Sequence, residues 1–135
     1  MRPLVRKHFL TARVAGSGPE TLPPADPHLL RAVNVTNTTT PKEIGAAARL
    51  ARDDKQWLIL MFHWVVDEAE YSTQYSVKNF EKVLKELKDA RVPVLPLAEV
   101  WESCRPGSEI PATGSHGCTI GSHKSTPVFP AVQQP

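Results

Sequence analysis

Cysteine and an excess of charge of one sign are scarce in this chain, and each scarcity removes a class of protein. Two cysteines in 135 residues, Cys104 and Cys118, exclude a disulfide-dense scaffold, and their spacing matches no metal-site signature. They read as unpaired or incidental thiols, with a single small loop closed by a disulfide as the alternative. Sixteen basic residues against 14 acidic ones leave a net charge of +2, too little to draw the chain to nucleic acid or to an anionic membrane. Neither partner is expected. No apolar run approaches the roughly 20 residues that a membrane-crossing helix requires. The basic start, Met1 to His8, lacks the apolar stretch of a secretory signal, so no compartment follows from it. No internal repeat is visible.

Proline is abundant instead. Thirteen residues are proline, well above the usual level of about 5%, and they cluster before residue 42 and after residue 105. A core of about sixty residues flanked by loop-rich ends is implied. From Ser103 onward Gly, Ser, Thr, Pro and His recur without apolar periodicity, which predicts a disordered tail over 103–135 behind a domain covering 1–102.

Along the chain, Leu4 to Leu10 is read as a strand interrupted by Arg6, Lys7 and His8, and 16–27 as loop. Leu29 to Val35 alternates and becomes β-branched, which predicts a strand. Thr40-Pro41-Lys42-Glu43 carries three agreeing helix-start signals: a threonine cap, a proline in the first turn and a glutamate placed to complete a capping box. Ile44, Ala47, Ala48 and Ala51 then form a narrow stripe suited to close packing. Ser76 to Ala90 predicts a second helix with Val77, Phe80, Val83, Leu84 and Leu87 on one side and a solvated charged face opposite, on which Glu81 and Lys85 form a pair worth about 0.2–0.5 kcal/mol. A short strand, Val92 to Leu95, and a last helical turn, Leu97 to Trp101, follow.

Between the helices lies Trp57-Leu58-Ile59-Leu60-Met61-Phe62-His63-Trp64. Six consecutive apolar residues are too many for a strand wetted on one face, so a parallel strand covered on both faces is expected. In such folds chemistry collects at the carboxyl ends of strands, where His63 sits. A strand-end histidine that merely hydrogen-bonds a loop is the competing reading.

The order of this strand, an acidic and Tyr/Ser-containing loop, and the segment Tyr75 to Trp101 resembles the C-terminal half of the polysaccharide deacetylase family, the NodB-homology domain of carbohydrate esterase family 4. The resemblance extends from Lys42 to Trp101 and is fainter before it. It implies an α/β fold, here a partial (β/α) barrel, because a complete domain of the family needs far more chain than this.

It also implies a chemistry. Family members hydrolyse N-acetyl groups on amino-sugar polymers with a zinc-type divalent metal, held by an aspartate and two histidines, while a second aspartate acts as base. The histidine of a late Leu-x-His segment protonates the leaving amine. His63 matches that histidine, and imidazole changes charge in the range the task requires. Met61 stands where the family has leucine and would line the acetyl pocket with Trp64, for which core packing is the competing role. Arg13, in "TARVAG", is carried as a residue supporting the site from behind.

The metal half has no counterpart. The chain lacks Thr-Phe-Asp-Asp-Gly, His-x-x-x-His, Arg-x-Pro-x-Gly and Asp-x-x-Asp-Trp motifs. Ile120-Gly121-Ser122-His123 imitates a metal segment, but Pro127 occupies the second histidine position, so His116 and His123 are read as incidental. Asp67, Glu68 and Glu70 are read as a solvated loop. The expectation is therefore a truncated metal-dependent deacetylase that binds no cofactor itself and is inactive alone. Its partners would be an N-acetylated polysaccharide or oligosaccharide and a complementary N-terminal half. The alternative is a non-catalytic remnant with at most weak carbohydrate binding.

Overall fold

A computed structural model describes residues 2–105. They divide into a unit ending at Pro93 and a second beginning at Val94. The first unit opens on α1 (Arg2–His8), where a strand over Leu4 to Leu10 was expected. Pro3 suits the first helical turn, and Arg6, Lys7 and His8 all fall in the last turn, where cations face the negative end of the helix dipole. Local end signals win because no strand among the described residues pairs with the segment to reward alternation.

Three strands then build a parallel sheet in the order β1-β2-β3: β1 (Arg13–Gly16), β2 (Leu30–Asn34) and β3 (Leu60–Met61). The long apolar run thus pairs in parallel, but regular strand covers only two of its residues. Trp57 instead joins Glu20 in an isolated antiparallel bridge. A second, two-stranded parallel sheet pairs β4 (Trp64–Val66) with β5 (Gln74–Ser76), inside the region expected to be loop. The architecture is mixed α/β, and no closed barrel forms among the described residues.

Helix α2 (Pro41–Asp53) starts as its sequence dictates, with Thr40 and Glu43 forming a reciprocal capping box. The Thr40 amide and hydroxyl both donate to Glu43 Oε2 at 2.7 Å and hold that carboxyl below its ordinary pKa. Helix α3 (Val77–Asp89) is capped by Ser76, whose hydroxyl accepts from the Asn79 amide. Both helices end in the same device. Lys55 and Arg91 take left-handed φ values of 55° and 54°, while Gln56 donates to Ala51 and Val92 to Leu87 across the last turn. These are Schellman closures with cationic residues where glycine is the unstrained choice.

One face of the parallel sheet meets the helices. Val35, Ile44, Ala48, Tyr75, Val83 and Leu87 form the buried cluster, with Leu58, Leu60, Phe62, Phe80 and Val92 packed against it. The stripe on α2 differs in one place from expectation: Ala47 is exposed and Gly45 is buried. Gly45 lies where α2 meets α3, and a Cβ there would come within 3.0 Å of Glu86 Cβ. Helix pitch carries Ala47 around to solvent, and the missing side chain lets the helices approach. Val77 is likewise exposed at the start of α3.

The Glu81–Lys85 pair is absent from the ion pairs of the described residues. Glu86 instead meets Arg49 of α2 at 3.4 Å. Tyr75 donates its hydroxyl to Thr39 O at 3.0 Å, and burial, aided by the Glu43 charge, raises its pKa above 10.0.

Glu20 is the one buried charged residue of the described set. Burial works to raise its carboxyl, but the Arg31 guanidinium and the amides of Arg31 and Thr21 outweigh it, leaving the pKa below 4.5. In the second unit, α4 (Leu97–Cys104) extends the expected turn to eight residues and buries Val100 and Cys104. No strand forms over Val92 to Leu95. Cys104 is disulfide-bonded, which corrects the reading of an unpaired thiol there. Cys118, His116 and His123, with the rest of 106–135, lie outside the described residues. Among the described residues no helix is long and apolar enough to cross a membrane.

Candidate functional site

The register of the parallel sheet decides what stands near His63. Val33 pairs with Leu60 and Asn34 with Met61, locked by amide bonds from Val33 to Ile59 and from Val35 to Met61. Side chains alternate across a strand, and partners in register share a face. Phe62 turns toward the helices, where its ring meets Tyr75 at 5.3 Å and Phe80 at 5.1 Å, both edge-on. Anchoring Phe62 there sends His63 to the other face. Asn34 is on that face, and its Oδ1 lies 2.9 Å from His63 Nε2.

This contact fixes the chemistry of the ring. An amide oxygen only accepts, so Nε2 carries the proton and Nδ1 is the basic nitrogen of the neutral ring. Proton exchange with another molecule therefore runs through Nδ1. His63 is exposed.

Trp64 opens β4 and is 48% exposed, and Tyr71 in the following loop is 65% exposed. Gln74 holds this loop, its Oε1 accepting from the amides of Glu70 at 2.8 Å and Tyr71 at 3.1 Å. Trp64 is thus a surface residue beside a strand-end histidine. Met61 is half-buried.

The residues singled out in the sequence do not all converge. His63, Met61 and Trp64 are consecutive or nearly so. Arg13 begins β1 opposite Leu30, at the amino end of the sheet, whereas Asn34 is four residues further along β2. At about 3.3 Å per residue, Arg13 is on the order of 13 Å from the His63 end. Asp67, Glu68 and Glu70 are exposed. Among the described residues no three His, Cys, Asp or Glu side chains gather as a metal-binding group. The donors among the described residues form no set that would hold the metal the resemblance implies.

Asn34 was not singled out in the sequence. Its signal was faint: a polar residue closing an apolar strand that pairs in parallel with the histidine's strand. A cleft of about 450 Å³ between the start of α2 and the face of α3 is lined by Thr40, Pro41, Lys42, Lys82, Lys85, Glu86 and Asp89 and contains none of the site residues.

No family model, curated protein or solved structure matches the chain.

Proposed function

We propose that the chain carries the proton-transfer side of a polysaccharide deacetylase-type site, with His63 as the group that protonates the amine leaving an N-acetylated amino sugar. The observation that carries this reading is the 2.9 Å contact between His63 Nε2 and Asn34 Oδ1 at the carboxyl end of parallel strands. It holds Nε2 of an exposed imidazole and leaves Nδ1 as the nitrogen to exchange the proton, which suits a general acid at a strand end. Met61 would border the acetyl methyl, and Trp64 would stack on the sugar ring.

A general acid contributes about two to four decades of rate, and attack of water on an amide needs activation besides. No step through a metal is assigned to residues 2–105, since they gather no ligand set. In this reading the water-activating half comes from other residues, and 2–105 alone bind sugar without cleaving it.

The test is to incubate the full chain with N-acetylated chito-oligosaccharide, with and without zinc, and to measure bound sugar and free acetate. Bound sugar without acetate, lost on Trp64→Ala, is the expected result. Acetate released with zinc would show a complete site within the chain and overturn the divided one. Absence of sugar binding would end the carbohydrate reading altogether.

The second reading is a non-catalytic remnant that holds carbohydrate weakly through Trp64. The half-exposed Trp64 and the missing ligand set favour it. Substituting His63 separates the two: His63→Gln leaves sugar affinity untouched in the remnant and changes its pH dependence in the proton-transfer site.

A further inference from the structure

Among the described residues, helix α1 packs against no strand and no other helix of its unit. Two side-chain links tie it to the loop before β2: Arg6 reaches Asp26 Oδ2 at 2.5 Å, and His28 Nε2 lies 2.8 Å from Phe9 O. Phe9 directly follows the helix, and its amide donates to Val5. A seven-residue helix is marginal without tertiary support, so these links decide whether it stays folded and docked.

The ring of His28 is built asymmetrically. The Phe9 carbonyl can only accept, so Nε2 holds the proton of the neutral imidazole. Nδ1 is then a lone pair, buried and without a hydrogen-bond partner, 3.8 Å from Asp26 Oδ1. A lone pair facing a carboxylate oxygen gains nothing. Protonation changes that: the ring becomes a cation 3.8 Å from the Asp26 carboxylate, and its Nε2–H bond to Phe9 O, just past the negative end of α1, becomes charge-assisted. The charged groups facing the ring are Asp26 from its own loop and, through Asp26, Arg6 from α1.

We propose that His28 is a pH-sensitive latch, protonation of which holds α1 against the loop before β2 and loss of which releases the helix. Asp26 is suited to the role, because the His28 amide and then the Arg6 and His28 charges keep its carboxyl below 3.8, hence ionised wherever histidine titrates. The released segment would carry Leu4, Phe9 and Leu10, each more than 60% exposed already, away from that loop.

The sign is fixed by the geometry. The contact that crosses to the α1 segment is the Nε2–H bond to Phe9 O, which is charge-assisted only in the protonated ring, so docking strengthens as the ring gains its proton. A charge at a helix carboxyl end whose existing bond to Phe9 O becomes charge-assisted corresponds to about a three- to tenfold change in the docking equilibrium.

Hydrogen exchange of the Phe9 amide in the full chain, corrected for the intrinsic pH dependence of exchange, reads that equilibrium. Protection is expected to fall about three- to tenfold between pH 5.5 and 8, and to become independent of pH in His28→Gln, which retains a donor for Phe9 O and cannot titrate. Asp26→Asn keeps the oxygen that accepts the His28 amide and removes the charge, so it should lower protection at both pH values and flatten the profile. Equal protection at the two pH values in the parent chain, or a His28→Gln profile that follows it, would overturn the latch.

Discussion

Replacing Gly45 by alanine puts two effects of similar size in opposition at the contact between α2 and α3. In an exposed helix the change would stabilise by about 1 kcal/mol, since glycine carries that much excess chain entropy. Here the new Cβ would meet Glu86 Oε2 at 2.7 Å, Glu86 Cβ at 3.0 Å and Cδ at 3.4 Å. The carboxylate can swing aside, at the expense of its 3.4 Å contact with Arg49, but the Cβ is fixed to the α3 backbone. Relief requires the helices to part by a few tenths of an ångström, and overpacking of this kind costs about 1–3 kcal/mol. The net expectation is a loss of about 1 kcal/mol.

Urea unfolding followed by far-UV circular dichroism measures it. With a slope of about 1 kcal/mol/M, the midpoint should fall by roughly 1 M. Replacing Glu86 by glycine removes all three close contacts, the Cβ included, so most of the loss should vanish in the double variant, the non-additivity expected of touching residues. A Gly45→Ala protein more stable than its parent, or an equal loss in both backgrounds, would refute the close approach of the helices.

Three further outcomes follow from the same structure. Lys55→Gly and Arg91→Gly remove the strain of left-handed backbone at the two Schellman closures, and each should stabilise by about 0.5–1 kcal/mol, raising the melting temperature by a few degrees; a lower melting temperature would contradict the assigned conformation. Tyr75→Phe strips the Thr39 carbonyl of its donor and should cost about 1 kcal/mol in urea unfolding. Glu20 has a depressed folded-state pKa, so its contribution is fully present above about pH 4.5 and disappears as pH falls through the lower folded value. Stability measured from pH 6 to 3 should drop more steeply in the parent than in Glu20→Gln.

Local chemistry was readable in the sequence, and pairing was not. The start of α2 was legible residue by residue, because Thr40, Pro41 and Glu43 act within one turn and need nothing distant. Ser76 at the start of α3 was legible for the same reason. Residues 2–8 were misread because apolar residues broken by Arg6, Lys7 and His8 fit a poor strand as well as a short helix. The place of Glu86 opposite Arg49, and of Gly45 between the helices, depends on how α2 and α3 meet, which no spacing within either helix encodes. The parallel pairing of β4 with β5 bridges a seven-residue connection, shorter than parallel crossovers usually need, so an acidic loop was the natural reading.

At the candidate site the histidine was visible and its orienting partner was not. His63 ends an apolar run, a signal contained in eight consecutive residues. Asn34 lies 29 positions earlier and becomes relevant only through the Asn34–Met61 register. The face on which His63 projects follows from Phe62, whose ring has two aromatic partners waiting on the helix side.

The most direct test of the proton-transfer site is a nuclear magnetic resonance titration of the full chain with N-acetylated chito-oligosaccharide, following the His63 imidazole and the amides around it. The account predicts shifts concentrated at Asn34, Met61, His63 and Trp64, with the His63 Nδ1 signal changing while Nε2 keeps its bond to Asn34. Shifts confined to the cleft between α2 and α3, or no shifts at millimolar sugar, would contradict it.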